Sequence, residues 1–455
     1  MTGITVLDIA RLTGGRLHGD GSAEVSSLEI DSRRVRNGSL FAALPGERTD
    51  GHDYIPLAFD MGAPACLALR VPAGESRPIV VVPDVSEALR RLAREYRQTL
   101  KIPVIGITGS VGKTTAKEMV ACVLEKRMSV LKTEKNFNND LGVPLTLCRI
   151  NSSHSAAVVE MGISDFGEMD TLAQMVRPTM AVYTVIGHSH LEKLHNLDGV
   201  LRAKTEMLPY LPENGVIFVN GDDELLNALE FHGKKVTFGL CGHNDVRAVN
   251  IENSGSSAIT CDILARGRSI HITIPAYGRH MVYAALAAAA VGMEMGLTDE
   301  ELASGIASYE PVGRRAKLLN TGTVTLIDDC YNANPDSVRC AVDSMADAKT
   351  RRVCILGDML ELGENTAALH YGVGAYAAAN GVELILTAGS LAENITAGAK
   401  AAGAQGEHFS TTGELIAALP RLIKKGDTVL VKASHSMHFE DVSEAVKALF
   451  PGESA

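Results

Sequence analysis

Apolar residues fall along this chain in two alternating rhythms. From residue 102 onward, short continuous apolar runs are followed by segments whose apolar positions recur every three or four residues. The run over 102–108 predicts a buried parallel strand, and Ala116, Met119, Val120, Val123 and Leu124 then mark one face of a helix. Further buried strands are expected over 156–159 and 181–186, and an Ala-rich buried helix over 283–293. Past Pro311 the alternation restarts, with strands expected over 324–327, 353–356, 384–386 and 429–431. The first hundred residues differ. They carry β-like runs at 39–44 and 79–82, turn signals at Asn37-Gly38, Pro45-Gly46 and Asp50-Gly51, and an amphipathic helix over 86–100. The pattern predicts an α/β protein of three domains, 1–98, 99–312 and 313–455. The central domain has a mostly parallel sheet and the last a Rossmann-like layout.

Composition supports a globular chain. Of 455 residues, 46% are hydrophobic and 21% charged, enough to bury a core in each domain. Lys+Arg 43 against Asp+Glu 54 gives a net charge of −11, which argues against a nucleic-acid binder working by broad phosphate neutralisation. A local basic pocket for a small anion is compatible with that balance. No basic stretch followed by an apolar run opens the chain, and the longest apolar stretch, 281–293, is too short to span a bilayer. The eight cysteines form no C-x-x-C pair and read as reduced core thiols. A cytoplasmic, monomeric protein without membrane insertion is expected.

Residues 106–115 read GITGSVGKTT between the predicted strand and helix. Small residues there let backbone N–H groups converge on phosphate oxygens at a helix N-terminus. Lys113 would meet the β/γ-phosphates and the Thr114 hydroxyl would meet Mg²⁺. The spacing departs from the standard phosphate loop, which has Gly where this chain has Ile107, so the bland alternative is a Gly-rich turn with a surface lysine. Glu160 ends the run 156–159, and His190 follows 181–186. In open α/β sheets ligands bind beyond the carboxyl ends of strands, so both could face one cation. Spacing does not choose among His188, His190 and His195.

The loop TGSVGKTT, the segment NFNNDLGVP over 136–144, Glu160-Met161-Gly162, His190-Leu191-Glu192 and Ala203-Lys204-Thr205-Glu206 together resemble the Mur ligases, ATP-dependent enzymes that build the peptide of bacterial peptidoglycan. DDCYNANP over 328–335 and GDMLELG over 357–363 are similar to the branch that joins D-alanyl-D-alanine to UDP-N-acetylmuramoyl-tripeptide. Asp31-Ser32-Arg33 and Asp50-Gly51-His52 resemble its uridine-nucleotide domain, which is then the N-terminal α/β unit.

The resemblance implies a set of roles. Ser32, Arg33, Thr49, Asp50, Gly51 and His52 would hold the UDP-sugar, with Asn138 and Asn139 near its muramoyl and phosphate region. Gly109, Ser110, Val111, Gly112, Lys113, Thr114 and Thr115 would cradle ATP, joined by His280, Arg314, Asp329 and Asn332. Mg²⁺ would be held by Thr114, Glu160, His190 and a carbamate on Lys204. Lys113, Lys204, Glu160 and His190 would carry catalysis. Where the family has amides after Gly278-Arg279-His280, this chain has Met281 and Ala284, and Ala433 and His435 replace the usual K-G-S-R residues after Lys432 and Ser434. These departures motivate a second reading, a non-catalytic nucleotide-binding relative. A third is a related ligase adding a single amino acid. The third residue of the tripeptide, lysine or diaminopimelate, stays open.

Overall fold

The computed structural model describes residues 1–46, 49–254 and 258–449. Among these residues the strands form three sheets, of five, nine and six strands, in three α/β domains along the chain. The first sheet is parallel except for its edge strand Arg16–His18. It is followed by helix Val85–Thr99, capped by the Asp84 side chain accepting from Glu87 N–H.

The central sheet places Val104–Thr108 between Ala156–Glu160 and Met180–Tyr183, parallel to both. These strands are buried on both faces, as their unbroken apolar runs require. Parallel pairing continues through Val216–Asn220 and Lys234–Gly239 to Val246–Ser254, and only then do antiparallel hairpins close the sheet with Ala258–Ala265 and Arg268–Ile274. The pattern reading missed all five of these strands. The last two alternate buried positions with partly exposed ones in Ala258–Ala265 and fully exposed ones in Arg268–Ile274, so neither reads as a long apolar run.

The strand expected over 181–186 stops at Tyr183. Beyond it Thr184 Oγ1 donates to Val111 O at 2.6 Å and Ile186 N–H donates to Asp223 at 2.6 Å, which pulls the chain out of the sheet. The Ala-rich segment is helix Met281–Glu294, buried almost all round. Among the described residues no helix is long and apolar enough to cross a membrane. Five cysteines are buried, Cys122 and Cys340 are partly exposed, and Cys241 is exposed, so the expectation of core thiols fails there.

In the third sheet Thr325–Asp328, Thr428–Lys432, Arg352–Gly357, Leu384–Ala388 and Gln405–Phe409 run parallel, with Lys317–Asn320 as an antiparallel edge. Apolar cores cover both faces of that sheet.

Candidate functional site

A cleft of about 1080 Å³ lies where the carboxyl ends of central-sheet strands face those of the third sheet. Strand Val104–Thr108 ends in the phosphate loop and helix Lys113–Leu124 begins at Gly112. Neighbouring strands leave the central one on either side, a topological switch point of the kind where α/β sheets bind ligands. Gly109 has φ +147°, and a Cβ there would lie 1.9 Å from Thr184 Oγ1, so only glycine lets the loop pass. Ser110 staples the loop, donating from N to Val185 O at 2.8 Å and from Oγ to Gly187 O at 3.0 Å. The first N–H groups of the helix have no intrahelical acceptor and open into the cleft with Lys113 and Thr114. Lys113 Nζ rests on Gly109 O at 2.8 Å. Enclosure lowers its pKa, with Glu160 pulling the other way.

Glu160, 2% exposed, accepts from Thr114 Oγ1 at 2.9 Å and from Asn138 Nδ2 at 2.8 Å. Lys117, one helical turn beyond Lys113, is 1% exposed. It donates to Thr133 O at 2.6 Å, pairs with Glu118 at 2.8 Å and stands 4.0 Å from Glu160. A buried ammonium needs such partners. Sequence reasoning missed Lys117; the signal was a lysine among the apolar positions Ala116, Met119 and Val120.

Of the three histidines, His190 alone lines the cleft. It holds a left-handed backbone, φ 54°, and its Nδ1 meets Glu361 of the C-terminal domain at 2.5 Å, leaving Nε2 to the cleft. Burial lowers its pKa; Glu361 opposes this, while Lys113 and Lys204 add to it. His188 instead pairs with Asp336, and His195 packs against Phe166. Lys204 sits in helix Leu197–Thr205, 1% exposed. Its pKa is driven well below the ordinary value by burial and then by Lys113, with no carboxylate among the described residues offsetting either.

From the third sheet, Asp329 and Lys432 emerge from adjacent strands and pair at 2.6 Å. Lys432 also donates to Asn332 O at 2.9 Å. His280 and Met281 line the same cleft; the buried Nδ1 of His280 has no hydrogen-bond partner among the described residues. Arg314 does not reach the cleft. It is bound to Asp328 and Glu444, each at 2.7 Å.

The residues expected to hold the UDP-sugar divide. Asn138 and Asn139 line the cleft, which extends to Arg90 and Arg94 on helix Val85–Thr99. Ser32, Arg33, Thr49, Asp50, Gly51 and His52 do not. Arg33 pairs with Asp31 at the surface, and Thr49 lies beside the undescribed residues 47–48. Both ring nitrogens of His52 are occupied, by Asp50 at 2.6 Å and Leu69 N–H at 2.9 Å, which fixes the turn. The His52 backbone N–H and then its ring hold the Asp50 pKa at about 2.

No cluster of three or more His, Cys, Asp or Glu side chains suited to a metal occurs among the described residues. One carboxylate, one hydroxyl and one imidazole make a thin set for Mg²⁺, which usually keeps waters and substrate oxygens and takes few protein ligands. The set therefore fits a cation arriving with a phosphate ligand.

Sequence comparison gives the site its context. Residues 24–97 match the Mur ligase family catalytic domain, 107–292 the Mur ligase middle domain and 314–435 the Mur ligase glutamate ligase domain. The chain is similar to the UDP-N-acetylmuramoyl-tripeptide–D-alanyl-D-alanine ligase of Bacillus subtilis, 35% identical over 448 residues covering 96% of this chain and 97% of the relative. It is equally similar to that of Escherichia coli, 35% identical over 454 residues covering 98% and 99%. A crystal structure of MurF from Acinetobacter baumannii superposes with TM-score 0.86 and 28% identity over 98% of both chains. With three domain matches in order and full-length relatives above 30% identity, this chain belongs to the Mur ligase family.

Proposed function

We propose that this chain is the ATP-dependent, ADP-forming ligase that joins D-alanyl-D-alanine to UDP-N-acetylmuramoyl-tripeptide in peptidoglycan precursor synthesis. The observation that carries the reading is the convergence in one cleft of a phosphate loop with Lys113, Glu160 and His190 of the central domain and Asp329 and Lys432 of a second domain. Relatives bearing that name align along almost the whole chain.

The chemistry explains the layout. A carboxylate resists attack by an amine because it is anionic and has no good leaving group. Transfer of a γ-phosphoryl group gives an acyl phosphate; the amine then adds, a tetrahedral intermediate forms, and phosphate leaves. Phosphoryl transfer asks a protein for positioning and charge stabilisation. Lys113 and the N–H groups of the phosphate loop hold the polyphosphate. Asn138 fixes the Glu160 carboxylate, and Glu361 fixes the His190 tautomer with Nε2 toward the cleft. When bound by Thr114, Glu160 and His190, Mg²⁺ supplies charge neutralisation at the phosphate oxygens. The C-terminal domain covers the cleft and limits water that would hydrolyse the acyl phosphate.

Lys204 carries a carbamate in this reading. A buried ammonium facing Lys113 is unfavourable, and a lowered pKa leaves the amine free to attack CO₂, forming an N–C bond and releasing one proton. The product is an anionic oxygen donor, which a hard cation prefers. Lys204→Ala loses most activity in this account, and a short-chain carboxylic acid restores part of it. A fully active alanine variant contradicts the carbamate.

The test of the whole reading is phosphate release from ATP with UDP-N-acetylmuramoyl-tripeptide, with and without D-alanyl-D-alanine. Acceptor-dependent release equal to amide formed supports it. Nucleotide binding with no acceptor-dependent release overturns it.

A further inference from the structure

Helix Lys113–Leu124 carries two lysines one turn apart, and the chemistry above uses only the first. Lys117 does not line the cleft, and an apolar side chain in its place would continue the buried positions Ala116, Met119 and Val120. Replacing a buried ion pair by apolar groups often leaves a fold as stable or more so. Neutralising Glu118 therefore does not account for an ammonium at this position. Lys132 already meets Glu118, at 2.7 Å on its other carboxylate oxygen.

The charges alternate in sign from the surface inward. The Lys132 side chain is 32% exposed and that of Glu118 10%, while Lys117 and Glu160 are buried. Lys132 to Glu118 and Glu118 to Lys117 are contacts of 2.7 and 2.8 Å, whereas Lys117 Nζ stops 4.0 Å from Glu160 Oε2. That gap is too long for a hydrogen bond, so the ammonium attracts the carboxylate without occupying its lone pairs. The four formal charges cancel among themselves.

Thr133 holds the ammonium back. Lys117 Nζ donates to Thr133 O at 2.6 Å, Glu160 N–H donates to Thr133 Oγ1 at 3.0 Å, and Thr133 N–H donates to Val158 O at 3.1 Å. Thr133, fully buried, is where the chain leaves strand Val130–Lys132 for the loop that carries Asn138. Asn138 completes the grip, donating to Glu160 Oε1 and accepting from Gly162 N–H at 2.9 Å. A Cβ on Gly162 would lie 2.9 Å from Asn138 Nδ2, so the loop is pressed against the strand end. Lys117 thus reaches Glu160 by two routes, its charge and the backbone of Thr133.

We propose that Lys117 is a positioning residue for phosphoryl transfer: it holds the Glu160 carboxylate in place for a phosphate-borne cation while leaving the carboxylate oxygens free. The inference rests on the proposed role of Glu160 in that reaction. Lys117 touches no substrate and moves no proton.

The test is a double-mutant cycle of Lys117→Met and Glu160→Gln on the full-length protein without nucleotide or added metal, read by melting temperature. Lys117→Met is expected to cost roughly 2–6 °C less in the Glu160→Gln background, where no carboxylate is left unbalanced, than in the wild type. Equal losses in both backgrounds mean that Lys117 serves only Glu118 and the backbone, and overturn the assignment. Turnover gives the second readout. Lys117→Met lowers kcat by roughly 10–100-fold, the range lost with residues that orient metal ligands, and leaves KM for ATP within about 3-fold because the phosphate loop is untouched. Lys132→Met, which removes the outer cation alone, keeps kcat within about 3-fold of wild type. A fall as large as that of Lys117→Met overturns the proposal. Should Lys117→Met fail to fold, Thr133→Val, isosteric and with all four charges intact, isolates the second route. It lowers kcat by about 10-fold in a folded protein, and wild-type kcat overturns the proposal. Failure of the wild-type protein to release acceptor-dependent phosphate removes the underlying reading instead; the melting-temperature cycle, which needs no reaction, tells the two failures apart.

Discussion

The two joints of this molecule are built from opposite materials. Between the N-terminal and central domains the core is continuous: Ile9, Leu40, Leu89 and Leu92 pack in one cluster with Val143, Leu147, Met169 and Leu172. The buried polar groups there are tied to backbone, Tyr96 Oη donating to Ile150 O at 2.6 Å and Arg97 Nε to Val176 O at 2.9 Å. Between the central and C-terminal domains the contacts are mainly charged and polar, Asp336 with His188 and Glu361 with His190. Apolar packing across that joint includes the partly buried Leu369 and Tyr277. An apolar joint loses free energy in proportion to the surface it would expose on opening, whereas water replaces the partners of a polar joint at small net cost. The second joint should therefore open at lower cost than the first, and the cleft lies between the central and C-terminal domains, reaching back to Arg90 and Arg94 beside the first.

Substitutions should therefore separate stability from turnover according to the joint they touch. The largest effect is expected in the cleft. Lys113→Ala lowers turnover by roughly 10³-fold, in the range lost with a preorganised charge partner. Its melting temperature stays near wild type, and a folded variant with near-normal turnover would remove Lys113 from the reaction. Next is the first joint. Leu92→Ala costs about 3 kcal/mol of stability, from lost burial and the cavity left behind. Denaturant unfolding should show both flanking domains weakened together, with turnover of the folded fraction unchanged.

A smaller effect is expected at the second joint. Glu361→Gln weakens the contact that orients His190, with roughly a 10-fold loss in turnover. Stability should change by less than about 1 kcal/mol, because the pair is partly exposed. A large melting-temperature loss with normal turnover would reverse the contrast. The smallest effect concerns pH. His370 in the C-terminal domain is fully buried, its Nδ1–H donating to Thr366 O at 2.7 Å and its Nε2 accepting from Met359 N–H at 3.0 Å. Burial lowers its pKa, so the unfolded chain takes up a proton that the folded ring refuses. Stability of this domain should fall as pH drops through about 6.5 and level off once the folded ring protonates. His370→Gln should flatten that slope in melts at several pH values.

Much of this architecture is legible in the residues, for identifiable reasons. Strands buried on both faces announce themselves as unbroken apolar runs, so Val104–Thr108 and Arg352–Gly357 were foreseeable to within two residues. The half-buried hairpins after Val246 were not, because alternation is easily hidden among polar residues. Glu160 was found by its place at a strand end. Lys117 and Lys204 were hard to read as buried, since a lysine is by default solvated and only packing reveals otherwise. The GDMLELG segment splits on inspection. Asp358 accepts from Leu391 and Ala392 N–H groups within its own domain, and Glu361 reaches across the joint to His190.

The most direct test of the contrast is to lock each joint in turn and measure turnover with and without reductant. Cysteines at His188 and Asp336 would bridge the polar joint, and cysteines at Thr2 and Ser152, which touch through Ser152 N–H and Thr2 Oγ1 at 3.2 Å, would bridge the apolar one. The account predicts that oxidation of the first pair stops turnover and reduction restores it, while oxidation of the second pair leaves turnover unchanged. Full turnover with the polar joint locked, or arrest with the apolar joint locked, would contradict it.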